Sequence, residues 1–384
     1  MTGPVMQASV ENMMTRIPKT VVLTGAVLLA LVWLGLVVPS GGRAADPEGP
    51  GVDEREVEAV TKVKEKYKRS LLKVPGTVGV GVGLTERGDR IAIHVYVLKW
   101  ADKSRLPKTL DGVPVQVIET EGFRAHDGPP GTNHRAALAL PVRMGVSSGN
   151  VNGTFAGTLG FRVHRIGHPT EVGYITNNHV AAASGNDLCP SQLNPANMPA
   201  FGVDQCQPGL LDSPGGACVL PAIGDLVQTV PLVMGEEFVN TVDAAFVRSS
   251  RGCVSKNILD IGAPRRKAAF PKLGQKVAKS GRTTGFTEGL VVAIHVEVSV
   301  DYGTGCGTAL FANQAIVAPL NSPSMSAPGD SGSPVLKGKT PVGLNFAGGS
   351  GLAVVTPLPL VLNALGVEID SAEDEPPPVD GTCP

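Results

Sequence analysis

The sequence predicts a mostly β protein with a small α+β segment in front of it. Its 384 residues exceed one typical domain, so two folded units with tails are expected. There are 48 glycines and 32 prolines, while only 17% of the residues are charged. That composition favours many short strands joined by turns over long surface helices. Short alternating or apolar runs separated by turn residues fill most of the chain after residue 137. These runs predict a β-sandwich or a pair of β-barrels.

Composition and charge argue against a wholly disordered chain and against a nucleic-acid-binding protein. With 42% hydrophobic residues, the chain is not wholly disordered. The 33 basic and 34 acidic residues give a net charge of −1. Nothing in this balance favours nucleic acid as a partner.

An export signal is expected at the N-terminus, over residues 1–45. Basic residues precede an uncharged apolar run at 21–38, and small residues follow it. This order is typical of a secretory signal, with cleavage expected at Ala44 or Ala45. The run is also long enough to remain as a membrane anchor. In both cases the rest of the chain is predicted to be secreted or extracytoplasmic.

The cysteines agree with an exported protein. There are six, at Cys189, Cys206, Cys218, Cys253, Cys306 and Cys383. An even number in an exported chain predicts disulfide bonds, and the sequence leaves their connectivity open. Cys383 lies in an acidic, proline-rich tail over 371–384 that is predicted to be disordered, so an unpaired thiol there stays open.

The segment over 46–120 is predicted to be a small α+β domain. Apolar residues recur at helical spacing from Glu54 to Lys73. Strands are expected near 78–84, 91–97 and 113–117. A polar Gly/Pro-rich stretch over 121–137 then reads as a linker.

Residues 138–370 carry the β pattern and are assigned to one domain. Strand-like runs stand at 157–163, 227–230, 290–296 and 353–355, and one helical run at 358–365.

Three blocks in this domain carry chemistry. They are Tyr-Ile-Thr-Asn-Asn-His-Val-Ala at 174–181, Thr-Val-Asp-Ala-Ala-Phe-Val at 241–247 and Gly-Asp-Ser-Gly-Ser-Pro at 329–334. A serine hydroxyl such as that of Ser331 needs an adjacent base to attack a carbonyl. His179 can take that proton and return it, and Asp243 can fix the imidazole tautomer. Asp225 is the competing candidate for the acid.

The blocks resemble the trypsin-like (chymotrypsin-fold) serine proteases in their bacterial secreted form. Lys-Ser-Gly-Arg-Thr-Thr-Gly at 279–285 is similar to these proteases as well. The resemblance implies two six-stranded antiparallel β-barrels. It also implies His179 as general base, Asp243 as its orienting partner and Ser331 as nucleophile. The backbone N–H groups of Gly329 and Ser331 would form the oxyanion hole.

The sequence departs from the family pattern in its substrate pocket. Family members that cleave at basic residues have an aspartate where Met325 stands, followed here by Ser326. An apolar or small side chain is therefore expected at the cleaved bond, not Arg or Lys. Phe346 belongs to a stretch, 345–349, that resembles the strand holding the substrate backbone. No Ile-Val-Gly-Gly start precedes the first barrel, so a new amine pairing with Asp330 is not expected.

The predicted function is an exported serine endopeptidase that acts on proteins or peptides through an acyl-enzyme. The mechanism requires no metal or cofactor. The alternative is a catalytically silent chymotrypsin-fold protein with a binding or regulatory role, in which the loop at 327–329 blocks the site. An α/β-hydrolase esterase would need Gly-x-Ser-x-Gly, which fails at 329–333 because position 333 is Ser333. The stretch 145–149 matches that motif, but no strand-turn-helix pattern surrounds it. Residues 54–120 are expected to be a prosegment or regulatory domain, with partner binding as the alternative.

Overall fold

A computed structural model provides the coordinates of the chain. The structure describes residues 52–124, 133–153, 156–182, 201–219, 221–303, 305–371 and Cys383. All of these belong to one compact unit that starts at Glu48. The expected export signal over 1–45 lies outside the described residues. Within the described ranges, no helix combines the length and apolar character of a membrane span.

Strands dominate the described residues. The helices are α1 (Glu54–Leu72), α2 (Asn178–Ala181) and α3 (Leu358–Leu365). The strands before the first barrel are β1 (Thr77–Leu84), β2 (Ile91–Leu98), β3 (Thr109–Leu110), β4 (Val113–Thr120) and β5 (Phe123–Arg124). Next come β6 (Val142–Met144), β7 (Ser147–Asn150), β8 (Gly157–Thr158), β9 (Arg162–Arg165), β10 (His168–Thr176), β11 (Asp204–Cys206), β12 (Gly224–Thr229), β13 (Gly235–Asn240), β14 (Ala245–Arg248) and β15 (Val254–Ile258). The last are β16 (Lys276–Gly281), β17 (Gly285–Asp301), β18 (Thr308–Pro319), β19 (Pro334–Lys337), β20 (Thr340–Gly349), β21 (Leu352–Pro357) and β22 (Val367–Ile369).

The first barrel closes because β8 and β9 behave as one bent strand. β8 pairs with β7, and β9 pairs with β10. Between them, the N–H of Gly160 donates to the carbonyl of Ile175. The ring then runs through β14, β12 and β11 back to β7, with every pair antiparallel. Its interior is filled by buried apolar side chains such as Tyr174 and Phe246.

The second barrel is also a closed ring. It consists of β16, β17, β18, β21, β20 and β19, each antiparallel to the next. Phe311 and Phe346 pack within it, with ring centroids 4.8 Å apart. The predicted all-β class with two six-stranded antiparallel barrels is therefore confirmed.

The N-terminal strands continue the sheet of the second barrel. β17 has 17 residues, and β16 pairs with it only up to Leu290, so the second half of β17 presents an edge on that side. β1 pairs with this edge antiparallel, with Val80 opposite Glu297. β2 pairs with β1, and β4 lies parallel to β2. The predicted α+β segment and the second barrel thus share one 12-stranded sheet.

Helix α1 covers one face of this extension. Its N-cap is Asp53, whose side chain accepts from the N–H of Arg55. Val60 and Leu71 are buried against the N-terminal strands. Lys64 is also buried, and its ammonium group donates to the Glu297 carboxylate at 2.7 Å. Because Glu297 belongs to β17, this ion pair connects the helix to the barrel.

Part of the predicted linker is packed against the protein. Phe123 is 2% exposed because its ring lies edge-on to Tyr96, with centroids 5.5 Å apart. As strand β5, Phe123 and Arg124 run parallel to the end of β17, and Arg124 pairs antiparallel with Gly348 of β20.

One disulfide bond is local and one joins residues 130 positions apart. Cys206 is bonded to Cys218, and Cys253 to Cys383. Cys306 is in a disulfide as well. An unpaired thiol at Cys383, which the sequence left open, is ruled out because its sulfur is bonded to Cys253.

Candidate active site

His179 lies on α2, the single helical turn that follows β10. Two asparagines before it fix this turn. The side-chain amide of Asn177 donates to the carbonyl of Asp243 at 2.7 Å. That of Asn178 donates to the carbonyl of Val230 at 2.7 Å. The residues before the histidine therefore orient the helix toward the segment that carries Asp243.

His179 and Asp243 form a buried hydrogen-bonded pair. Nδ1 of His179 lies 2.6 Å from Oδ2 of Asp243, and neither side chain is exposed to solvent. A carboxylate only accepts, so the network assigns the proton to Nδ1. The second ring nitrogen, Nε2, is then an acceptor. It has no hydrogen-bond partner among the described residues.

The Asp243 carboxylate accepts on both of its oxygens. Oδ1 receives the backbone N–H groups of Asn178 at 2.7 Å and His179 at 3.3 Å. Oδ2 receives the Tyr302 hydroxyl at 2.8 Å in addition to His179. Four donors, three on α2 and one in the turn between β17 and β18, therefore hold this carboxylate in place.

The competing acid lies elsewhere. Asp225 is on β12 and pairs with the guanidinium of Arg248 at 3.1 Å. Two further histidines have other partners: His164 lies 3.1 Å from Glu368, and His94 lies 2.7 Å from the carbonyl of Leu84.

Ser331 lies in the turn between β18 and β19, which rests against the first barrel. The Ser331 carbonyl accepts from the N–H of Thr158 at 2.7 Å. At Gly332, φ is +91°, and an added Cβ would lie 2.1 Å from the Thr158 carbonyl oxygen. A side chain at Gly332 is thus excluded by both backbone conformation and space.

Two backbone donors at and beside Ser331 have no hydrogen-bond partner among the described residues. In the part of the chain that the structure describes, neither the N–H of Gly329 nor that of Ser331 donates a hydrogen bond. Buried backbone donors are nearly always paired, so two unpaired ones within three residues suggest a site for an incoming acceptor. The Ser331 hydroxyl donates to the carbonyl of Phe346 at 3.1 Å, not to His179.

Asp330 anchors the same turn through a buried ion pair. Its carboxylate lies 3.2 Å from the ammonium of Lys279, and both side chains are fully buried. It also accepts from the N–H groups of Thr283 at 2.8 Å and Ala327 at 3.0 Å. Burial alone would raise the pKa of the Asp330 carboxyl, but Lys279 and these donors lower it below its ordinary value. For Lys279 the effect of burial has the opposite sign: it disfavours the charged ammonium and lowers the pKa.

A second buried ion pair lies beside the turn. Nε of Arg282 is 2.5 Å from Oδ2 of Asp212, and its Nη2 is 2.8 Å from Oδ1. An added Cβ at Gly329 would lie 2.2 Å from Nη1 of Arg282. The guanidinium therefore packs directly against the loop that carries the unpaired donors.

The residues expected to form the pocket occupy different places. The Met325 side chain is buried in the second barrel, in a cluster with Val277 and Val291. The Ser326 hydroxyl accepts from the side chain of Asn345 at 2.9 Å. Phe346 is buried against Phe311, and its carbonyl contacts the Ser331 hydroxyl.

Sequence reasoning missed several groups around the site. Lys279 and Arg282 stand in a block that was singled out, but their acidic partners were not identified. Tyr302 was missed entirely. It lies near the tip of a hairpin, 59 residues from Asp243 in sequence, and no local pattern links the two.

No protein-family description matches this chain, and no curated protein does. Solved structures are similar to it. Thermobifida fusca protease A is 18% identical, with a TM-score of 0.39, 60% of this chain covered and 99% of that one. A glutamic acid-specific serine protease that uses a histidine triad in substrate binding is 22% identical, with a TM-score of 0.39 and coverage of 59% and 100%. Nocardiopsis protease is 18% identical, with a TM-score of 0.39 and coverage of 59% and 98%. All three are structures of proteases.

Proposed function

We propose that the chain is a serine endopeptidase that uses Ser331, His179 and Asp243. The observation that carries the proposal is the hydrogen bond between His179 and a carboxylate with four donors, beside a turn with two unpaired N–H groups. The carboxylate provides orientation and charge for the base. The unpaired donors provide a place for the oxyanion.

In the acylation step, the Ser331 hydroxyl turns from the Phe346 carbonyl to Nε2 of His179. Oγ attacks the substrate carbonyl carbon while its proton moves to Nε2. The carbonyl oxygen becomes an oxyanion that accepts from the N–H groups of Gly329 and Ser331. Asp243 stabilises the imidazolium that has formed. The C–N bond then breaks, and the amine leaves with the proton from Nε2.

In the deacylation step, water takes the place of the amine. Nε2 removes one proton from the water as its oxygen attacks the acyl carbon. The ester bond to Oγ breaks, and Ser331 recovers its proton from His179. The products are a carboxylic acid and the free enzyme. The residues on this path need no additional group.

Specificity for Arg or Lys is not part of the proposal. Met325 stands where such enzymes have an aspartate, and its side chain packs among apolar residues. A basic side chain of the substrate would find no counter-charge there. We therefore expect cleavage after apolar or small residues.

Disulfide bonding supports action outside the cytoplasm. Cys206, Cys218, Cys253 and Cys383 are paired in two bonds. Such bonds persist in oxidising compartments and are rare in the cytoplasm. Export agrees with the apolar segment at 21–38, which the sequence predicts to be a signal or anchor.

A catalytically silent protein is the second candidate, and one observation favours it. The Ser331 hydroxyl is bonded to the Phe346 carbonyl, and His179, Asp243 and Ser331 are all inaccessible to solvent. A site fixed in this arrangement would not react.

The test is labelling of the folded chain with an organophosphonate that reacts with activated serines. Intact mass measures the adduct. One adduct is expected on the wild type and none on Ser331→Ala. The matched control is Ser333→Ala, two residues away and equally buried, which should label like the wild type. If the wild type does not label, or if Ser331→Ala still does, the endopeptidase proposal is wrong.

We further propose that the N-terminal segment, residues 54–120 with strand β5, restrains the active site. Arg124 of β5 pairs with Gly348 of β20. Gly348 belongs to the stretch that resembles the substrate-binding strand. An added Cβ at Gly349 would lie 1.9 Å from the Gly122 carbonyl oxygen, so the two chains are in close contact. A substrate that used this edge of β20 would have to displace β5.

Two variants at Arg124 separate backbone pairing from side-chain effects. Arg124→Pro removes the backbone N–H, whereas Arg124→Ala keeps it and removes the guanidinium. We expect Arg124→Pro to raise kcat/KM on peptides about three- to tenfold, because its strand competes less well for β20. Arg124→Ala should match the wild type. Equal rates for all three proteins would show that β5 does not restrain the site.

A further inference from the structure

The geometry points to Tyr302 as a positioning residue that holds the Asp243 carboxylate in line with His179. This inference rests on the proposed endopeptidase function and adds a residue to it. The Tyr302 hydroxyl lies 2.8 Å from Oδ2 of Asp243, the same oxygen that faces Nδ1 of His179. A shift of Tyr302 would therefore move the acceptor on which the base depends.

The tyrosine also contacts the histidine directly. The Tyr302 and His179 rings are edge-to-face, with centroids 5.7 Å apart and planes at 71°. Edge-to-face contact restricts the tilt of the imidazole. Tyr302 thus limits both the carboxylate and the ring.

Tyr302 is itself held firmly. It is 2% exposed, and its ring packs 6.3 Å from that of Phe311. Its backbone N–H donates to the carbonyl of Gly307 at 3.0 Å, which closes the turn between β17 and β18. Cys306, in the same turn, is disulfide-bonded. The hydroxyl therefore approaches Asp243 from a fixed support.

The hydroxyl can only act as a donor here. Burial raises the pKa of Tyr302 well above its ordinary value, and the negative charge of Asp243 raises it further. The proton stays on the tyrosine across the pH range in which a histidine base works. In the described part of the chain, no other ionisable side chain bonds to Asp243 besides His179 and Tyr302.

Removing the hydroxyl alone tests this role, because Tyr302→Phe keeps the ring and its packing. A hydrogen bond to a charged group is lost, so kcat should fall about tenfold, with KM changed by less than about twofold. With one donor fewer, more negative charge faces the imidazolium. The acid limb of the kcat/KM profile should therefore move to higher pH.

The matched control is Tyr67→Phe. Tyr67 also donates to a carboxylate at 2.8 Å, that of Asp111, but on helix α1. Its kinetic constants and pH profile should equal those of the wild type. If Tyr302→Phe keeps its kcat and its pH profile, or if Tyr67→Phe changes them as much, the positioning role is wrong.

Proton NMR separates this inference from the endopeptidase proposal. The proton on Nδ1 of His179, in its short bond to Asp243, gives a strongly deshielded signal that exists even without turnover. Tyr302→Phe should shift it, and Tyr67→Phe should not. A wild type that neither cleaves peptides nor labels at Ser331 would refute the proposed function. An unshifted proton signal in Tyr302→Phe would refute the role of Tyr302.

Discussion

The two sides of the candidate site are built differently. On one side, the Asp243 carboxylate accepts four hydrogen bonds and His179 is locked against it. On the other side, the N–H groups of Gly329 and Ser331 have no partner among the described residues, and the serine hydroxyl donates to the Phe346 carbonyl instead of the histidine. The charged group is fully satisfied, whereas the reactive turn is not.

The difference follows the chemistry that each side would perform. A carboxylate that orients a base works best when nothing can move it. Donors that stabilise an oxyanion must stay free until the oxyanion forms. The protein holds the unpaired turn in place indirectly, through the buried pairs of Asp330 with Lys279 and of Arg282 with Asp212.

The largest expected effect on activity comes from changing Asp243, the carboxylate with four hydrogen-bond donors. Asp243→Asn keeps the shape but removes the charge that stabilises the imidazolium. kcat on a peptide substrate should fall about 10⁴-fold. Asp225→Asn, at the carboxylate that pairs with Arg248, should change kcat by less than about twofold. A loss below about tenfold in Asp243→Asn would mean that the carboxylate does not serve the base.

The next effect concerns the support of the unpaired side. Lys279→Met leaves the buried Asp330 charge without its cation and should lower the free energy of unfolding by about 3–5 kcal/mol. Urea unfolding measures it. Lys276→Met, on the same strand, removes a pair between Lys276 and Glu288 in which the lysine is exposed, and should change stability by about 1 kcal/mol or less. Equal losses for the two variants would show that the turn does not depend on Lys279.

A smaller effect on activity is expected when a side chain is added at Gly329, whose N–H is one of the two unpaired donors. Gly329 has φ of +94°, and an added Cβ meets Arg282 and Thr283 within 2.6 Å. Gly329→Ala should therefore displace the turn and lower kcat about 10²- to 10³-fold. Gly338→Ala is the control, because Gly338 also has positive φ but has open space around it. Retention of full activity in Gly329→Ala would remove this N–H from the mechanism.

The smallest effect is a dependence of stability on pH. The pKa of Asp330 is lower in the folded chain than its ordinary value of 3.8. The stability that it contributes is present above that value and is lost as the pH falls through the lower, folded pKa. The free energy of unfolding should therefore decrease more steeply in acid for the wild type than for the double variant Lys279→Met/Asp330→Asn. Parallel curves would contradict this assignment.

The barrels were predictable because their strands show local patterns. Alternating residues such as those at 290–296 mark a strand wherever it pairs. The motif blocks around His179 and Ser331 likewise stand out in sequence. Pairing between distant segments is not encoded locally, so the docking of β1 on β17 was not foreseen. The length of β17 could have indicated that part of this strand pairs outside the barrel. The sequence does not show, however, which of its residues would pair with another segment.

The site shows the same limit. The structure brings Asp243 to His179, as the motif order suggested, and brings Ser331 to the first barrel through Thr158. The partners that hold these residues, Tyr302 and Lys279, were not identified. Each acts through a side chain whose partner is far away in sequence, and only the folded chain brings them together.

The continuous sheet from β1 to β17 has a consequence for processing. A protease that cut the chain between 125 and 132 would sever one covalent connection and leave the strand pairing and the Lys64–Glu297 ion pair intact. The product would be a nicked heterodimer, two bands on a denaturing gel and a single peak in gel filtration. Separation of the two fragments would require the hydrogen bonds between β1 and β17 to break. The time between cleavage and release would then be governed by an unfolding rate, so that the nick alone would not mark the moment at which the N-terminal fragment leaves.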